Sequence, residues 1–383
     1  MNATHPASTS GRLTVNVIEI NPHAPRPYVF TETALCLQES LQNAGFISNL
    51  HVNQAEPQSL SIVLGAVPPL HGPLEQLDPR KTILFNLEQL ASDSALAGSD
   101  YRRWLRKWMV VDYHSANVDH LKRENGPQQE VLELPLVPGK AVRFRPELPD
   151  DKTVDVLFFG TLTQRRAQIV ERLEQAGLTI ETVAGSYANE LTPAIRRARM
   201  VLHVHFYGTG LFPVARFLQP VASGVPIVCE TSVASRLGDW RESGIVFSDY
   251  DDLVNACTQL LRAPGERTAR ADATQRFAAQ IDFATPFAGV LEAVALRLAG
   301  PRDLAPVAVT LPIADPEASD EPLADSDIER LLQREAEVLP PESHLPPPPV
   351  RMVERQLGQG RFGVWAVWLM ILFSLWTIWQ SMH

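Results

Sequence analysis

The chain has 383 residues, long enough for two domains, and a formal net charge of −10, so it lacks the basic surplus typical of nucleic-acid-binding proteins. Residues 301–350 hold eleven acidic residues against three basic ones, which leaves the rest of the chain close to neutral. Three cysteines without metal-ligand spacing indicate core residues in a reducing compartment, and the polar first residues predict no secretory signal peptide.

Strands and helices alternate along the first part of the chain. The pattern predicts strands at Leu13–Ile20, Leu50–Val52, Leu60–Leu64, Thr82–Phe85 and Trp108–Val111, and helices at Thr31–Ala44, Tyr101–Lys107 and Ala116–Glu124, the last capped by Ser115. Alternation of this kind is typical of a parallel, doubly wound sheet.

A proline-rich and charged run at 135–151 marks a domain boundary, and a second α/β series follows it. We predict strands at Val154–Phe159, Leu178–Val183, Met200–Phe206, Val225–Cys229 and Gly244–Phe247. We predict helical segments at Gln164–Ala176, Pro193–Arg199, Asp251–Arg262 and Ala269–Leu298, and a further one that runs from the turn at Gly210 to Ser223. The expected fold class is therefore α/β, with two Rossmann-like domains (1–148 and 149–299) facing a cleft.

The remaining residues predict a linker and a membrane anchor. Residues 300–360 are rich in proline and acidic residues and favour a flexible, disordered linker. Within 361–380, Phe362–Trp379 is uncharged and would rise about 27 Å as a helix, enough to cross most of a bilayer. Arginines precede this segment, so we expect a single carboxyl-terminal anchor in the inner (cytoplasmic) membrane, with the body in the cytoplasm.

Two adjacent arginines begin the helix predicted at Gln164–Ala176. A helix amino terminus attracts anions through its free N–H groups and its dipole, and Arg165 and Arg166 would add two guanidinium groups suited to a diphosphate. The alternative is a solvated surface pair. We favour anion binding because cations at this end oppose the helix dipole unless an anion offsets them.

Further polar groups follow the next strands of the second half. His203, His205 and Tyr207 alternate, so they would share one face of a strand, with His203 as a core residue and the other two near a ligand. No third ligand accompanies the two histidines in sequence, so we expect no metal site. Arg216 would be a structural ion-pair partner or a phosphate clamp, and Glu230 would accept a hydroxyl of a ribose or sugar.

Polar clusters also follow two strands of the first half and should reach the same edge of the cleft. Glu88, Asp112 and His114 are the candidates for a base that takes a proton from an acceptor hydroxyl. Ordinary loop polarity and helix capping are the alternative for each of the three.

Two long segments resemble the carboxyl-terminal domain of bacterial GT-B glycosyltransferases, and they read VDVLFFGTLTQRRAQIVERL (154–173) and VLHVHFYGTGLFPVARFLQPVASGVPIVCETS (201–232). The segments ILFNLEQL and VVDYHSANVDHLKRENG look like the amino-terminal domain of the same group, and the resemblance covers residues 12–298. It implies a sugar-nucleotide donor bound mainly by the second domain, an acceptor at the first, and no metal or other cofactor. It places the donor near Gly160, Thr161, Arg165 and Arg166, with Arg216 and Glu230 on the donor side.

The sequence therefore predicts a membrane-anchored glycosyltransferase that moves a sugar from a nucleotide sugar to a glycan or lipid-linked acceptor, in envelope or extracellular polysaccharide assembly. A polysaccharide-synthesis complex is a further expected partner, and nucleic acid is not. Many retaining members of the family carry two glutamates where this chain has Leu211 and Gln219, and often an acid at the position of Pro213. The alternative function is therefore a catalytically degenerate scaffold or regulatory subunit of such a complex.

Overall fold

The computed structural model describes residues 13–66, 77–90, 99–126, 129–206, 210–231 and 238–299 of the protein. Within these ranges the strands form two parallel sheets. The strands of the first sheet are β1 (Val15–Glu19), β2 (Leu50–Val52), β3 (Leu60–Leu64), β4 (Thr82–Asn86), β5 (Met109–Asp112) and β6 (Val131–Glu133). Their order across the sheet is β2-β1-β3-β4-β5-β6. Every residue of β1, β3, β4 and β5 is buried, as expected for a parallel sheet covered on both faces.

The second sheet follows the same plan. Its strands are β7 (Val154–Phe159), β8 (Ile180–Val183), β9 (Ala198–His203), β10 (Ile227–Thr231) and β11 (Val246–Asp249). Their order is β11-β10-β9-β7-β8, so the chain reverses direction across the sheet between β7 and β9. This is a topological switch point, where ligands bind beyond the carboxyl ends of the strands.

The helices of the described ranges connect these strands and cover the sheets. They are α1 (Thr31–Asn43), α2 (Ser99–Leu105), α3 (Ser115–Asn125), α4 (Gln164–Gln175), α5 (Thr192–Arg197), α6 (Leu218–Ala222), α7 (Leu253–Arg262), α8 (Pro264–Ala278) and α9 (Ala284–Ala299). The predicted α/β class with parallel sheets is confirmed. Sheet one ends at Glu133 and sheet two begins at Val154, whereas the domain boundaries 148/149 and 299/300 stay predictions.

The last described helix, α9, packs back onto the first half of the chain. The rings of Phe287 and Phe46 meet edge to face with centroids 5.2 Å apart. Arg297 pairs with Glu130 at 3.0 Å and donates to the carbonyl of Pro79. One hydrophobic cluster contains residues of both sheets, and both sheets belong to one compact unit.

The end of β9 and the segment that contains α6 differ from the prediction. The strand expected to reach Phe206 ends at His203, because the N–H of His205 donates to the carboxylate of Glu230 (2.7 Å) instead of to a neighbouring strand. The helical segment expected up to Ser223 consists of a 3₁₀ turn and the five-residue α6. Pro220 explains the break, since proline lacks an N–H and clashes with the carbonyl four residues earlier.

In the first half, the cap of α3 differs from the prediction and β6 was not predicted. The side chain of His114, not that of Ser115, caps α3, with its Nδ1 accepting the N–H of Ala116 at 3.1 Å. β6 has three residues and ends two residues before the proline-rich run at 135–151 that marked the predicted domain boundary.

No helix within the described ranges is long and apolar enough to cross a bilayer. The predicted linker (300–360) and anchor (361–380) lie outside the described residues, as does Tyr207.

Candidate functional site

The turn after β7 passes directly over the guanidinium of Arg216. Gly160 has φ +118° in this turn, and its N–H donates to the carbonyl of Val183 at 2.8 Å. A Cβ atom on Gly160 would lie 2.7 Å from Nη1 of Arg216. Glycine is required here for two reasons, the left-handed backbone and the close approach.

Arg216, one of the three predicted donor-side arginines, lies under this turn. It is half-buried and ends the 3₁₀ turn Val214–Arg216, and its Nη1 donates to the carbonyl of Phe159 at 2.8 Å. Within the described residues, no carboxylate forms an ion pair with it. Burial lowers the pKa of its guanidinium, and the more distant Tyr187 and Glu32 act against this. Since a desolvated cation without a paired anion is unfavourable, this corner favours an anionic ligand.

Arg166 is buried, with 2 % of its surface exposed, and is used by the fold itself. Its Nε donates to the carbonyl of Val204 (2.9 Å) and its Nη1 to that of Thr161 (2.8 Å). Its guanidinium lies 5.1 Å from the ring centroid of Phe206. Burial, and then the neighbouring arginines, lower its pKa to about 10. Arg166 therefore ties the turn after β7 to the end of β9, and direct contact with a diphosphate stays a prediction.

Arg165 and Glu230 form an ion pair between the start of α4 and the end of β10. Both guanidinium Nη atoms donate to the carboxylate, one of them at 2.7 Å, and the guanidinium stacks 3.9 Å from the ring centroid of Tyr250. Glu230 is 1 % exposed, and its bond with Arg165 raises the pKa of the guanidinium. The carboxylate also accepts the N–H of His205. The pair shapes the edge of the sheet, and the predicted hydroxyl contact of Glu230 is untested.

The two histidines at the end of β9, His203 and His205, are buried and lie together. Their ring centroids are 5.2 Å apart, and the ring of His203 also meets that of Phe217. Burial lowers the pKa of both His203 and His205, so both are neutral near pH 7. A cluster of three or more His, Cys, Asp or Glu residues able to hold a metal is not found in the described part of the chain.

Asp112, a candidate base of the first half, is fully buried in a hydrogen-bond network. Its carboxylate accepts from the side chains of Asn86 (2.6 Å) and Asn117 (2.9 Å) and from the N–H of His114 (2.8 Å). The hydroxyl of Tyr101 completes the network by donating to Asn86. Desolvation raises the pKa of Asp112 to about 8, although its hydrogen bonds act in the opposite direction. This placement favours a structural role.

Glu88 differs from the other two candidates, because it lines a small pocket. His114 caps α3, as described above. The carboxylate of Glu88 is half-buried, and no described group donates a hydrogen bond to it. It lines a small pocket together with Phe30, Gly65 and Tyr101. Burial raises its pKa, which moves a carboxylate towards the range useful to a general base.

One cluster between the two halves was not predicted. The N–H of Ala188, in the loop after β8, donates to Glu32 of α1 at 2.8 Å. Its carbonyl accepts from Gln219 of α6 at 3.0 Å. The sequence showed Gln219 only as a departure from a family pattern, and no pattern singled out Glu32. Ala188 could not be found from the sequence, because its bond to Glu32 joins residues 156 positions apart.

Comparison with known proteins gives matches for half of the chain in sequence and for most of it in fold. Residues 159–285 match the family model described as glycosyl transferase-like. Uncharacterized protein L138 of Acanthamoeba polyphaga mimivirus is 28 % identical over 197 residues, which is 50 % of this chain and 22 % of that protein. Uncharacterized protein L140 of the same virus is 22 % identical over 47 % of this chain and 59 % of its own length. This chain therefore spans only part of the length of these relatives.

Two solved structures agree with the described fold. An alpha-glucosyltransferase in complex with UDP and a 13-mer DNA containing an HMU base aligns with a TM-score of 0.52 at 11 % identity, over 75 % of this chain and 100 % of its own. An alpha-glucosyltransferase in complex with UDP-glucose and DNA containing an abasic site aligns with a TM-score of 0.50 at 10 % identity, again over 75 % and 100 %. The described fold, with its two parallel sheets, is therefore similar to that of these two glucosyltransferases, and residues 159–285 are similar to the glycosyl transferase-like family.

Proposed function

We propose that this protein is a glycosyltransferase that moves a sugar from a nucleoside-diphosphate sugar to a hydroxyl of an acceptor. The proposal rests on the guanidinium of Arg216, which lies under Gly160 at the carboxyl edge of the second sheet. Within the described residues, no carboxylate pairs with this guanidinium. The family match over residues 159–285 supports the same activity. So do the UDP and UDP-glucose in the two solved structures of similar fold.

In this proposal Arg216 stabilises the diphosphate, whose negative charge grows as it leaves. The N–H groups at the start of α4 add a positive dipole end on the same side. Arg166 and the Arg165–Glu230 pair act indirectly, since they hold the turn after β7 and the end of β9 in place. Preorganised charge of this kind is usually the largest contribution to catalysis.

On the acceptor side we propose Glu88 as the general base. The acceptor oxygen forms a bond with the anomeric carbon, the bond from that carbon to the diphosphate oxygen breaks, and the electron pair leaves with the diphosphate. The proton of the acceptor hydroxyl passes to the carboxylate of Glu88. Asp112 and His114 are occupied by the buried network and by the cap of α3, which favours Glu88 over both.

Several further expectations belong to this proposal. The acceptor is a glycan or a lipid-linked glycan of envelope or extracellular polysaccharide assembly, and the net charge of −10 argues against a DNA acceptor. Arg216 takes the place of a metal at the diphosphate, so transfer should persist in a chelator. Residues 361–380 anchor the protein in the cytoplasmic membrane with the body in the cytoplasm, and a polysaccharide-synthesis complex is its site of action.

The first test is donor binding by the full-length chain in detergent, measured by calorimetry with UDP, GDP and sugars linked to each. We expect at least one nucleotide sugar to bind, and Arg216→Ala to weaken that binding about tenfold to a hundredfold, because a hydrogen bond to a charged group is worth about 1.5–3 kcal/mol. Arg276→Ala is the matched control, since Arg276 is an exposed arginine of α8. Absence of binding by the wild type, or equal losses in the two variants, would contradict the proposal.

A membrane-anchored scaffold or regulatory subunit of a polysaccharide-synthesis complex is the second candidate. One observation favours it, because Gln219, at a position where retaining relatives often carry a glutamate, is buried and bonded to Ala188. A scaffold should recover stoichiometric partners in a pull-down from detergent extract and should not hydrolyse any bound donor. Donor turnover by the purified chain excludes this candidate.

A further inference from the structure

The backbone of Ala188 is hydrogen-bonded from both halves of the molecule. Its N–H donates to Oε1 of Glu32, in the first turn of α1. On the other side, its carbonyl accepts from Nε2 of Gln219 at 3.0 Å and from the hydroxyl of Thr192 at 3.2 Å. Ala188 is 7 % exposed, so water has little access to these bonds. We call Glu32, Ala188 and Gln219 the Ala188 clamp.

The clamp holds Ala188 in a backbone conformation that alanine rarely adopts. Its φ is +46°, in the left-handed region, where a Cβ atom approaches the following carbonyl. Such a conformation persists only where the surrounding structure determines it strongly, and this occurs often at functional sites. The left-handed backbone of Ala188 is therefore maintained by its hydrogen-bond partners and not by the conformational preference of alanine.

The carboxamide of Gln219 is chemically necessary in this arrangement. It donates to the carbonyl of Ala188, and its Oε1 (3.3 Å) shares the single hydroxyl proton of Thr192 with that carbonyl. The side chain of Gln219 is buried. A glutamate at 219 would place a carboxylate oxygen against the carbonyl of Ala188, with no proton between them when ionised. The clamp thus gives a physical reason for glutamine at this position.

Two contacts beside the clamp join the same segments. Arg26 pairs with Glu190 at 3.0 Å, and the ring of Tyr28 meets that of Tyr187 with centroids 6.1 Å apart. The ion pair is exposed and contributes little by itself. The buried bonds of Ala188 are therefore the main polar link between residues 26–32 of the first half and 187–190 of the second.

The clamp also borders the proposed anion site. Glu32 and Tyr187 are the groups that act electrostatically on Arg216 from this side, and Tyr113 of the first half acts on it as well. We propose that Gln219 and Glu32 are positioning residues, which act through the backbone of Ala188 to fix the acceptor half against the donor site. They would then determine the rate of transfer more than the affinity for the donor, an inference that rests on the proposed function.

The test compares variants on both sides of Ala188 in the full-length chain. Gln219→Glu removes the donor to the carbonyl, and Glu32→Ala removes the acceptor of the N–H, whereas Glu32→Gln keeps an acceptor oxygen. The measurements are calorimetric affinity for a nucleotide sugar, UDP-glucose first, the kcat of its turnover to UDP, and hydrogen exchange of residues 187–190. We expect Gln219→Glu and Glu32→Ala to lower kcat at least tenfold with donor affinity within threefold, and to speed exchange at 187–190. Glu32→Gln should stay close to the wild type in all three.

Hydrogen exchange separates the failure of this inference from the failure of the proposed function. If the wild type binds and turns over no nucleotide sugar, the proposed function fails, and faster exchange at 187–190 in Gln219→Glu and Glu32→Ala, but not in Glu32→Gln, would still establish the clamp. Unchanged exchange and unchanged kcat in Gln219→Glu and Glu32→Ala overturn the inference. So does a loss in Glu32→Gln equal to that in Glu32→Ala, because the hydrogen bond would then not be the cause.

Discussion

At the scale of the residue, Gly160 decides how closely the backbone can approach Arg216. Gly160→Ala would bring a Cβ atom 2.7 Å from the guanidinium and place an alanine at φ +118°. The side chain of Arg216 would have to move, and it would lose its bond to the carbonyl of Phe159. We expect nucleotide-sugar affinity to fall about tenfold or more, measured by calorimetry.

Gly177→Ala is the matched control for this substitution. Gly177 also has a positive φ, +84°, but no atom lies within 4 Å of the Cβ that an alanine would add there. The two variants therefore share backbone strain and differ in the contact with Arg216. Both should lose stability, and equal donor affinity in the two would show that the contact is irrelevant to binding.

The sequence predicted the place of Arg165 and Arg166 at the start of a helix, but their partners were not predictable. Arg165 and Arg166 do begin α4, as the sequence indicated. However, the partner of Arg165 is Glu230, 65 residues away, and Arg166 binds two backbone carbonyls that no sequence pattern marks. Adjacent residues of the same type thus have different roles, because the fold sets their environments.

At the scale of the element, α3 offers a direct comparison of two possible caps. Its first N–H groups need acceptors, and the ring of His114 supplies one to Ala116. We expect His114→Ala to lower the free energy of unfolding by about 1 kcal/mol, the usual cost of a lost cap, measured by urea denaturation. Ser115→Ala should have a much smaller effect, and the reverse order would show that the serine is the cap.

The elements themselves were largely predictable, since strong apolar patterns define them. Val154–Phe159 was predicted with its observed bounds, and Leu50–Val52 and Leu60–Leu64 likewise. The two main errors have different causes, one a long-range contact and the other a local residue. The end of β9 is set by the carboxylate of Glu230, and the reduced length of α6 by a proline within an apolar run.

At the scale of the whole molecule, Glu32 makes the stability of the contact between the two halves depend on pH. Burial raises the pKa of Glu32 from 4.5 to about 7, although the bond from Ala188 and the charge of Arg216 act in the opposite direction. The folded state therefore binds a proton between pH 4.5 and 7 that the unfolded state has released. The contribution of Glu32 to stability is largest below pH 4.5 and is lost as pH rises to about 7.

Glu32→Gln should remove this dependence while keeping an acceptor for Ala188. We expect the variant to gain stability relative to the wild type as pH rises from 5 to 8, by about 1–2 kcal/mol given that Glu32 is only half-buried. The measurement is urea unfolding of both proteins at several pH values. If the difference in unfolding free energy between the two proteins does not change with pH, the raised pKa of Glu32 is contradicted.

The return of α9 to the first half has a consequence for folding during synthesis. Phe46 completes its ring contact only with Phe287, and Glu130 pairs only with Arg297 among the described residues. At roughly 5–20 residues per second, a ribosome needs about ten to thirty seconds to proceed from the end of the first sheet to α9. During that interval Phe46 and Glu130 lack their partners in α9, and we expect the nascent first half to bind a chaperone more readily than the finished chain does.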